Sequence, residues 1–184
     1  SGKIVGKETY NDVLSKRQGG LLDIIFVKHK EKNYVFSCYQ NLNSNLIVAS
    51  HVLKNFKFFN KKIIFSSKYN SKSGVHFGCR FINYKNSILF SIGDRGDRNN
   101  SQNSNNYPRS IIKIDYEGNH KITKDGWLSG IFSMGHRNPQ GLIYIKEFDE
   151  IWSHEHGPKG GDEINIVKMG KNYGWPVVTY GKEY

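Results

Sequence analysis

The sequence predicts an all-β fold, and three observations carry that prediction. Short apolar runs rich in Val, Ile, Phe and Tyr recur at intervals of about 8–12 residues. Gly, Asn and Asp punctuate them as turns. No stretch shows the helical apolar period over about ten or more residues. Such a pattern suits a barrel, a sandwich or a propeller. Strands here repeatedly pass into a polar Gly-Asp or Gly-Pro loop, which favours the propeller, where loops at one end converge on a central site.

Taken in order, residues 1–17 are polar and mixed, with a short strand or helical turn expected around Tyr10 to Leu14. After Gln18-Gly19-Gly20 the composition switches to Leu21-Leu22-Asp23-Ile24-Ile25-Phe26-Val27, a buried-strand run behind a glycine turn. Asn33–Tyr39 and Leu46–Ser50 are the next strands, followed by apolar bursts at Phe56–Phe59 and Lys62–Ser66. Gly74–Phe81 and Ser87–Asp94 continue the series and lead into a long Asn/Ser/Asp loop from Arg95 to Arg109. Ser110–Asp115 alternates as a strand closed by Glu117-Gly118-Asn119. Ile131–Met134, Leu142–Ile145, Glu150–Ser153 and Glu163–Val167 complete it.

Composition limits the function classes. A chain of 184 residues, 37% hydrophobic and 14% aromatic with only 4 Pro, has the material for one folded core and a little more. Net charge is +11, from 27 Lys+Arg against 16 Asp+Glu. Its lysines (Lys28, Lys30 and Lys32; Lys54, Lys57, Lys61 and Lys62) are scattered and come with no nucleic-acid-binding motif. A solvated basic surface suited to anionic membrane or polysaccharide is therefore expected, and nucleic acid is not a predicted partner. No run of about 18 apolar residues predicts a membrane span. Cys38 and Cys79 permit one disulfide without deciding whether it forms, and lack companions for a zinc site. The amino end, Ser1-Gly2-Lys3-Ile4, carries no signal core, and the chain reads as a piece of something longer.

The densest polar chemistry lies late. Gly135-His136-Arg137-Asn138-Pro139-Gln140-Gly141-Leu142 sets an imidazole, a guanidinium and a carboxamide side by side between apolar runs. Arg offers a planar fork of donors to carboxylate or phenolate-like oxygens, Asn a donor and an acceptor, and Pro stiffens the loop. Either this is a ligand site, or its Arg and Asn merely satisfy backbone groups in an ordered turn. A second tract runs from Trp152-Ser153-His154-Glu155-His156-Gly157-Pro158 through Gly161-Asp162-Glu163-Ile164-Asn165 to Asn172-Tyr173-Gly174-Trp175-Pro176.

Four segments together resemble the soluble quinoprotein glucose/sorbosone dehydrogenases, which include the aldose sugar dehydrogenases. They are Gln18-Gly19-Gly20-Leu21-Leu22-Asp23; His76-Phe77-Gly78-Cys79-Arg80; Ile92-Gly93-Asp94-Arg95-Gly96 with the trailing Gln102; and Gly135 to Pro176. The order matches the family, and the last tract is the most specific. The resemblance implies a six-bladed β-propeller of which residues 1–184 supply roughly half the blades. It implies pyrroloquinoline quinone and Ca2+ as cofactors, an aldose oxidised at its anomeric carbon, and an external electron acceptor. It also implies a periplasmic or secreted parent whose signal peptide is not in this chain.

By the same resemblance, His76 is the base that takes the hydroxyl proton, a task suited to a near-neutral imidazole. Arg137 and Asn138 would contact the quinone, Arg137 stabilising negative charge on its carbonyl. Gln18 would bond the substrate or the quinone edge, or be only a turn residue before a strand. The carbonyls of Gly157 and Pro158 would hold the quinone-bound calcium, and Glu163 with the backbone of Tyr173 a second, structural calcium.

Departures accompany the likeness. Cys79 stands where the family usually has a second glycine, and Val75 where some members carry an acidic residue before the histidine, so an orienting carboxylate is expected to be missing. Further cationic quinone ligands lie in later blades. His154 and His156 share a strand face without a third metal ligand, and Asp94, Asp97 and Asn99 lack the closing Glu of an EF-hand and are expected to form an inter-strand loop. A non-catalytic propeller that binds a glycan or protein partner is the alternative function.

Overall fold

The structure is a computed structural model that describes residues 2–69, 71 and 73–182. Ser1, Glu183 and Tyr184, which entered the reading of the chain ends, lie outside the described residues. Eleven strands form three antiparallel sheets in chain order, and no α-helix occurs among the described residues. The first sheet is β1 (Leu21–His29), β2 (Lys32–Gln40), β3 (Leu46–Lys54) and β4 (Lys57–Ser66). The second is β5 (Gly78–Tyr84), β6 (Ser87–Ile92), β7 (Ser110–Asp115) and β8 (Ile131–Met134). The third is β9 (Pro139–Ile145), β10 (Glu150–Glu155) and β11 (Glu163–Val167). Each sheet is a meander, as local hairpin connections require, and the three are consecutive blades of a β-propeller.

The blades stack because alternate residues of the middle sheet face opposite ways. From β6, Ile88, Phe90 and Ile92 enter the core shared with the first sheet, against Phe36, Cys38, Leu46 and Val48. Leu89 points to the other side and joins Ile111 and Phe132 against Ile151 and Val167 of the third sheet. Cys38 and Cys79 are bonded to each other, Cα to Cα 6.3 Å, and tie β2 to β5 across the first blade junction. Cys79 occupies a left-handed backbone conformation (φ 59°). The expected glycine position is thus filled by a residue whose side chain crosslinks blades.

Leading strands are laced at their starts. The Arg80 guanidinium donates to the Leu22 carbonyl of β1 (3.0 Å) and the Gln140 carbonyl of β9 (2.8 Å), while Phe81 N–H donates to Asp23 Oδ2 (2.9 Å). This sets β1, β5 and β9 side by side, so that loops entering them share one end of the ring.

Three strand readings change. The two bursts at Phe56–Phe59 and Lys62–Ser66 are one strand, β4, whose pairing with β3 is interrupted by irregularities that break the alternation. Gly74–Phe77 is not strand: His76 has φ 51° and β5 begins only at Gly78. Around Tyr10 to Leu14 there is no strand, only a turn at Asn11 and Asp12 and an isolated bridge from Val13 to Asn41.

Candidate active site

His76 sits at the end of a loop that precedes β5, in a backbone region that non-glycine residues enter rarely. Its conformation is held from two sides. The His76 N–H donates to Gln18 Oε1 (2.8 Å), and its ring Nδ1 lies 2.6 Å from Asp94 Oδ1. A carboxylate can only accept, so Nδ1 carries the proton and Nε2 is left with its lone pair free. Arg95 is buried, stacks 3.4 Å from the centroid of Phe77 and donates to the carbonyl of Val75, next to His76 in the chain (2.7 Å). Burial pulls that guanidinium down to about 10.

Asp94 corrects the expectation from Val75. The orienting carboxylate is present, supplied from the loop after β6 rather than from the residue before the histidine. It is buried and accepts two further bonds, from Trp175 Nε1 (2.9 Å) and Gly96 N–H (2.8 Å). Its own N–H donates to the Arg137 carbonyl (2.7 Å). The Arg137 guanidinium lies 5.3 Å from the Trp175 ring centroid and donates to the His156 carbonyl (3.0 Å). His76 and Arg137, 61 positions apart in the chain, are thus linked through Asp94 and Trp175.

Asn138 reaches the same region. A Cβ on Gly93 would overlap the His76 carbonyl oxygen and lie 3.1 Å from Asn138 Oδ1, so glycine is required where these segments converge. Gln18, Asn138 and His156 line one cleft of about 300 Å³, with Arg80 and Gln140 in its wall. A neighbouring cavity gathers Arg137, Gly157, Pro158, Glu163 and Tyr173 beside Trp175, and it has room for about one water-sized sphere. All of the sequence-predicted site residues therefore lie at the loop end of the ring, distributed over the His76–Asp94 pair and these two adjoining spaces.

Arg137 is positioned by a buried system that the sequence reading passed over. Glu155 accepts from the Arg137 N–H, and its Oε1 is 3.0 Å from His136 Nδ1. His136 Nε2 in turn contacts Ser133 Oγ at 2.9 Å, and its ring stacks on Tyr173 with centroids 4.7 Å apart. Ser, His and Glu meet as they do in hydrolases, but Ser133 and His136 are fully buried and no substrate can reach them. Burial would push the Glu155 carboxyl up; the His136 ring and the N–H groups of Arg137 and Asn138 together outweigh it and hold the group below the usual carboxylate range. The signal was periodic. Ile151, Ser153 and Glu155 alternate inward along β10. His156 lies just past the end of β10 with its ring 6.4 Å from that of His154, and no third metal ligand joins them among the described residues.

The residues suit an anionic, oxygen-rich cofactor and a hard cation. Arg137 Nε is buried without a hydrogen-bond partner, a donor awaiting an acceptor. Neither the Gly157 nor the Pro158 carbonyl accepts a hydrogen bond among the described residues. A Cβ at Gly157 would overlap the carbonyl oxygens of Gly160 and Gly161, so backbone oxygens crowd this turn, as a calcium site needs. Among the described residues no group of three or more His, Cys, Asp or Glu forms a carboxylate or imidazole metal centre. Glu163 Oε2 accepts from Asn165 Nδ2 (3.1 Å) at the mouth of the Tyr173 cavity.

The chain is similar to known proteins over most of its length. An uncharacterized protein of Synechocystis is 35% identical, covering 94% of this chain and 47% of its own length. The aldose sugar dehydrogenase YliI of Escherichia coli is 30% identical over 94% of this chain and 50% of its own. The crystal structure of the E. coli soluble aldose sugar dehydrogenase in its apo form superposes with a TM-score of 0.84 at 28% identity, covering 96% of this chain and 55% of that one. Quinoprotein glucose dehydrogenase B of Acinetobacter calcoaceticus is 36% identical over 46% of this chain and 18% of its length. The chain spans about half the length of the first two relatives, and three blades in half a length accord with a ring of six. Residues 2–184 match the family model described as Glucose / Sorbosone dehydrogenase, and the chain belongs to that family.

Proposed function

We propose that the protein is an aldose dehydrogenase that uses pyrroloquinoline quinone and Ca2+ and delivers electrons to an external acceptor. The bound quinone would supply the acceptor for the C1 hydride, which carries both electrons, and the calcium would supply a Lewis acid. His76 Nε2 accepts the proton of the anomeric hydroxyl, since Nδ1 is committed to Asp94. Asp94 keeps that tautomer and steadies the imidazolium that results. Arg137 presents positive charge from a buried position, and Asn138 and Gln18 offer amide groups to the quinone or substrate edge. The Gly157 and Pro158 carbonyls would hold the quinone-bound calcium, and Glu163 with the Tyr173 backbone a second, structural ion.

The observation that carries this reading is the 2.6 Å His76–Asp94 contact, coupled through Trp175 to a buried guanidinium with an unpartnered Nε. It gives the histidine a carboxylate that Val75 does not, which supports the catalytic reading over a non-catalytic propeller. The Cys38–Cys79 bond supports a periplasmic or secreted location, where thiols oxidise. The test is full-length protein loaded with quinone and Ca2+ and assayed for aldose-dependent dye reduction. Activity that falls at least about 100-fold in His76→Ala is expected; a fully active His76→Ala variant, or no reduction with any aldose, refutes the reading.

A further inference from the structure

The opposite end of the ring carries a pattern that sugar oxidation does not use. Every hairpin turn from an odd to an even strand lies there, because the leading strands run side by side in the same direction. Contacts between blades confirm the shared end: Lys85 of the β5–β6 turn bonds Asp149 of the β9–β10 turn (3.0 Å), and Tyr34 beside the β1–β2 turn bonds Glu117 beyond β7 (3.2 Å).

Three of these connections, and the segment that follows β11, hold a large apolar side chain out in solvent with lysine close by in sequence. Lys54-Asn55-Phe56-Lys57 presents Phe56, 66% exposed, from the first blade. Lys121-Ile122-Thr123-Lys124 presents Ile122, 64% exposed, from the second. In the third, Lys146-Glu147-Phe148-Asp149 presents Phe148 (71%) and Lys168-Met169-Gly170-Lys171 presents Met169 (57%). Pairing of Ile151 with Val167 puts Phe148 and Met169 at adjoining strand ends, and Ile122 and Met169 line one groove of about 510 Å³ together with Lys113, Lys121 and Asp115, whose carboxylate is taken up by Glu117 N–H and Asn119. At the turn end these segments hold six lysines against two acids, Glu147 and Asp149, the latter already paired with Lys85; Lys171 is set back toward the loop end, where its carbonyl accepts from the Met134 N–H.

We propose that this turn end docks on an anionic lipid bilayer, with the apolar tips entering the headgroup–acyl boundary and the lysines meeting lipid phosphates. The two components are complementary to such a surface together. Lysines near a membrane gain from its negative potential, and apolar side chains gain from leaving water at the boundary. A hydrated acidic polysaccharide would engage the lysines and leave Phe56, Ile122, Phe148 and Met169 in water. The loop end with His76 then faces away from the bilayer, open to soluble sugar. The inference does not depend on the sugar-oxidation reading.

The test is co-sedimentation of the full-length protein with vesicles of phosphatidylcholine and phosphatidylglycerol in equal parts, against pure phosphatidylcholine. Binding to the anionic vesicles alone is expected, and it should be lost as salt rises from about 0.05 to about 0.5 M. Reversal of three lysines (Lys121→Glu, Lys124→Glu, Lys168→Glu) should weaken it at least about tenfold. Phe148→Ser with Met169→Ser should weaken it with the charges intact. These side chains are exposed, so the variants should keep the parent's thermal midpoint. A Phe148→Cys protein carrying an environment-sensitive fluorophore should shift to the blue on anionic vesicles. Equal retention on soluble acidic polysaccharide with no fluorescence shift on vesicles would overturn the proposal, as would vesicle binding indifferent to both sets of substitutions.

Discussion

Asp94→Asn separates charge from shape at the point where the site is most interlinked. The carboxylate is 3% exposed and takes three donors: His76 Nδ1 and Gly96 N–H on one oxygen, Trp175 Nε1 on the other. Asparagine keeps the volume and only one oxygen. If that oxygen faces His76 and Gly96, the amide NH2 meets the Trp175 N–H, donor against donor, at about 1–3 kcal/mol for the unpaired buried group. The bond to His76 also falls from charge-assisted to neutral, about half its strength. If the amide turns round, Gly96 is orphaned and Nδ1 must accept, which moves the imidazole proton to Nε2 and removes the base. Both orientations predict a stability loss of about 2–4 kcal/mol and a kcat loss of about 10²–10⁴. Urea unfolding measures the first and dye reduction at saturating aldose the second, on full-length loaded enzyme. Nitrogen-15 spectra of the histidine rings report the tautomer independently of turnover. A folded Asp94→Asn protein with kcat within about threefold of the parent would refute the assignment of Asp94 as the group that positions His76.

Three further outcomes follow from the same geometry. Gly93→Ala, which drives a methyl group into the His76 carbonyl and against Asn138, should cost about 1–3 kcal/mol in urea unfolding and lower kcat while leaving the spectrum of a folded protein. Replacing Cys38 and Cys79 by alanine opens a crosslink of sequence separation 41, worth about 4 kcal/mol by chain entropy, and reducing agent should then no longer shift the unfolding midpoint. Glu155 has its folded value below its unfolded one, so its stabilisation is full above about pH 5 and is lost as pH falls through the lowered folded value. Glu155→Gln should flatten that acid limb of the urea midpoint and lower the plateau by about 1–3 kcal/mol.

Much of the architecture was legible because period-2 patterning is local. Ser110–Asp115, Ile131–Met134 and Glu163–Val167 were bounded to the residue. β4 was split because its irregular pairing with β3 puts Lys61 and Lys62 where alternation would resume. The run before β5 was overextended because an apolar Val-His-Phe string reads as strand unless the left-handed turn at His76 is known. The candidate site was legible only in its members. His76, Arg137, Asn138 and Gln18 stand out by resemblance, and Asp94 lies in a resembling segment, but its sequence neighbourhood predicts only an inter-strand loop. Its partnership with a histidine 18 positions earlier has no local period; it arises when β5 and β6 pair. Glu155 was hidden between two histidines that drew attention as metal ligands, although its inward phase along β10 was readable.

The carboxylate of Asp94 gathers threads from all three described blades: Gln18 ahead of β1 steadies the histidine it grips, and Trp175, which follows β11, leans on it from the far side. Heat should therefore silence proton abstraction and loosen the ring in a single event. No warm, intact, inactive species should accumulate on the way, because the fastening that readies the imidazole is also one that keeps the blades together.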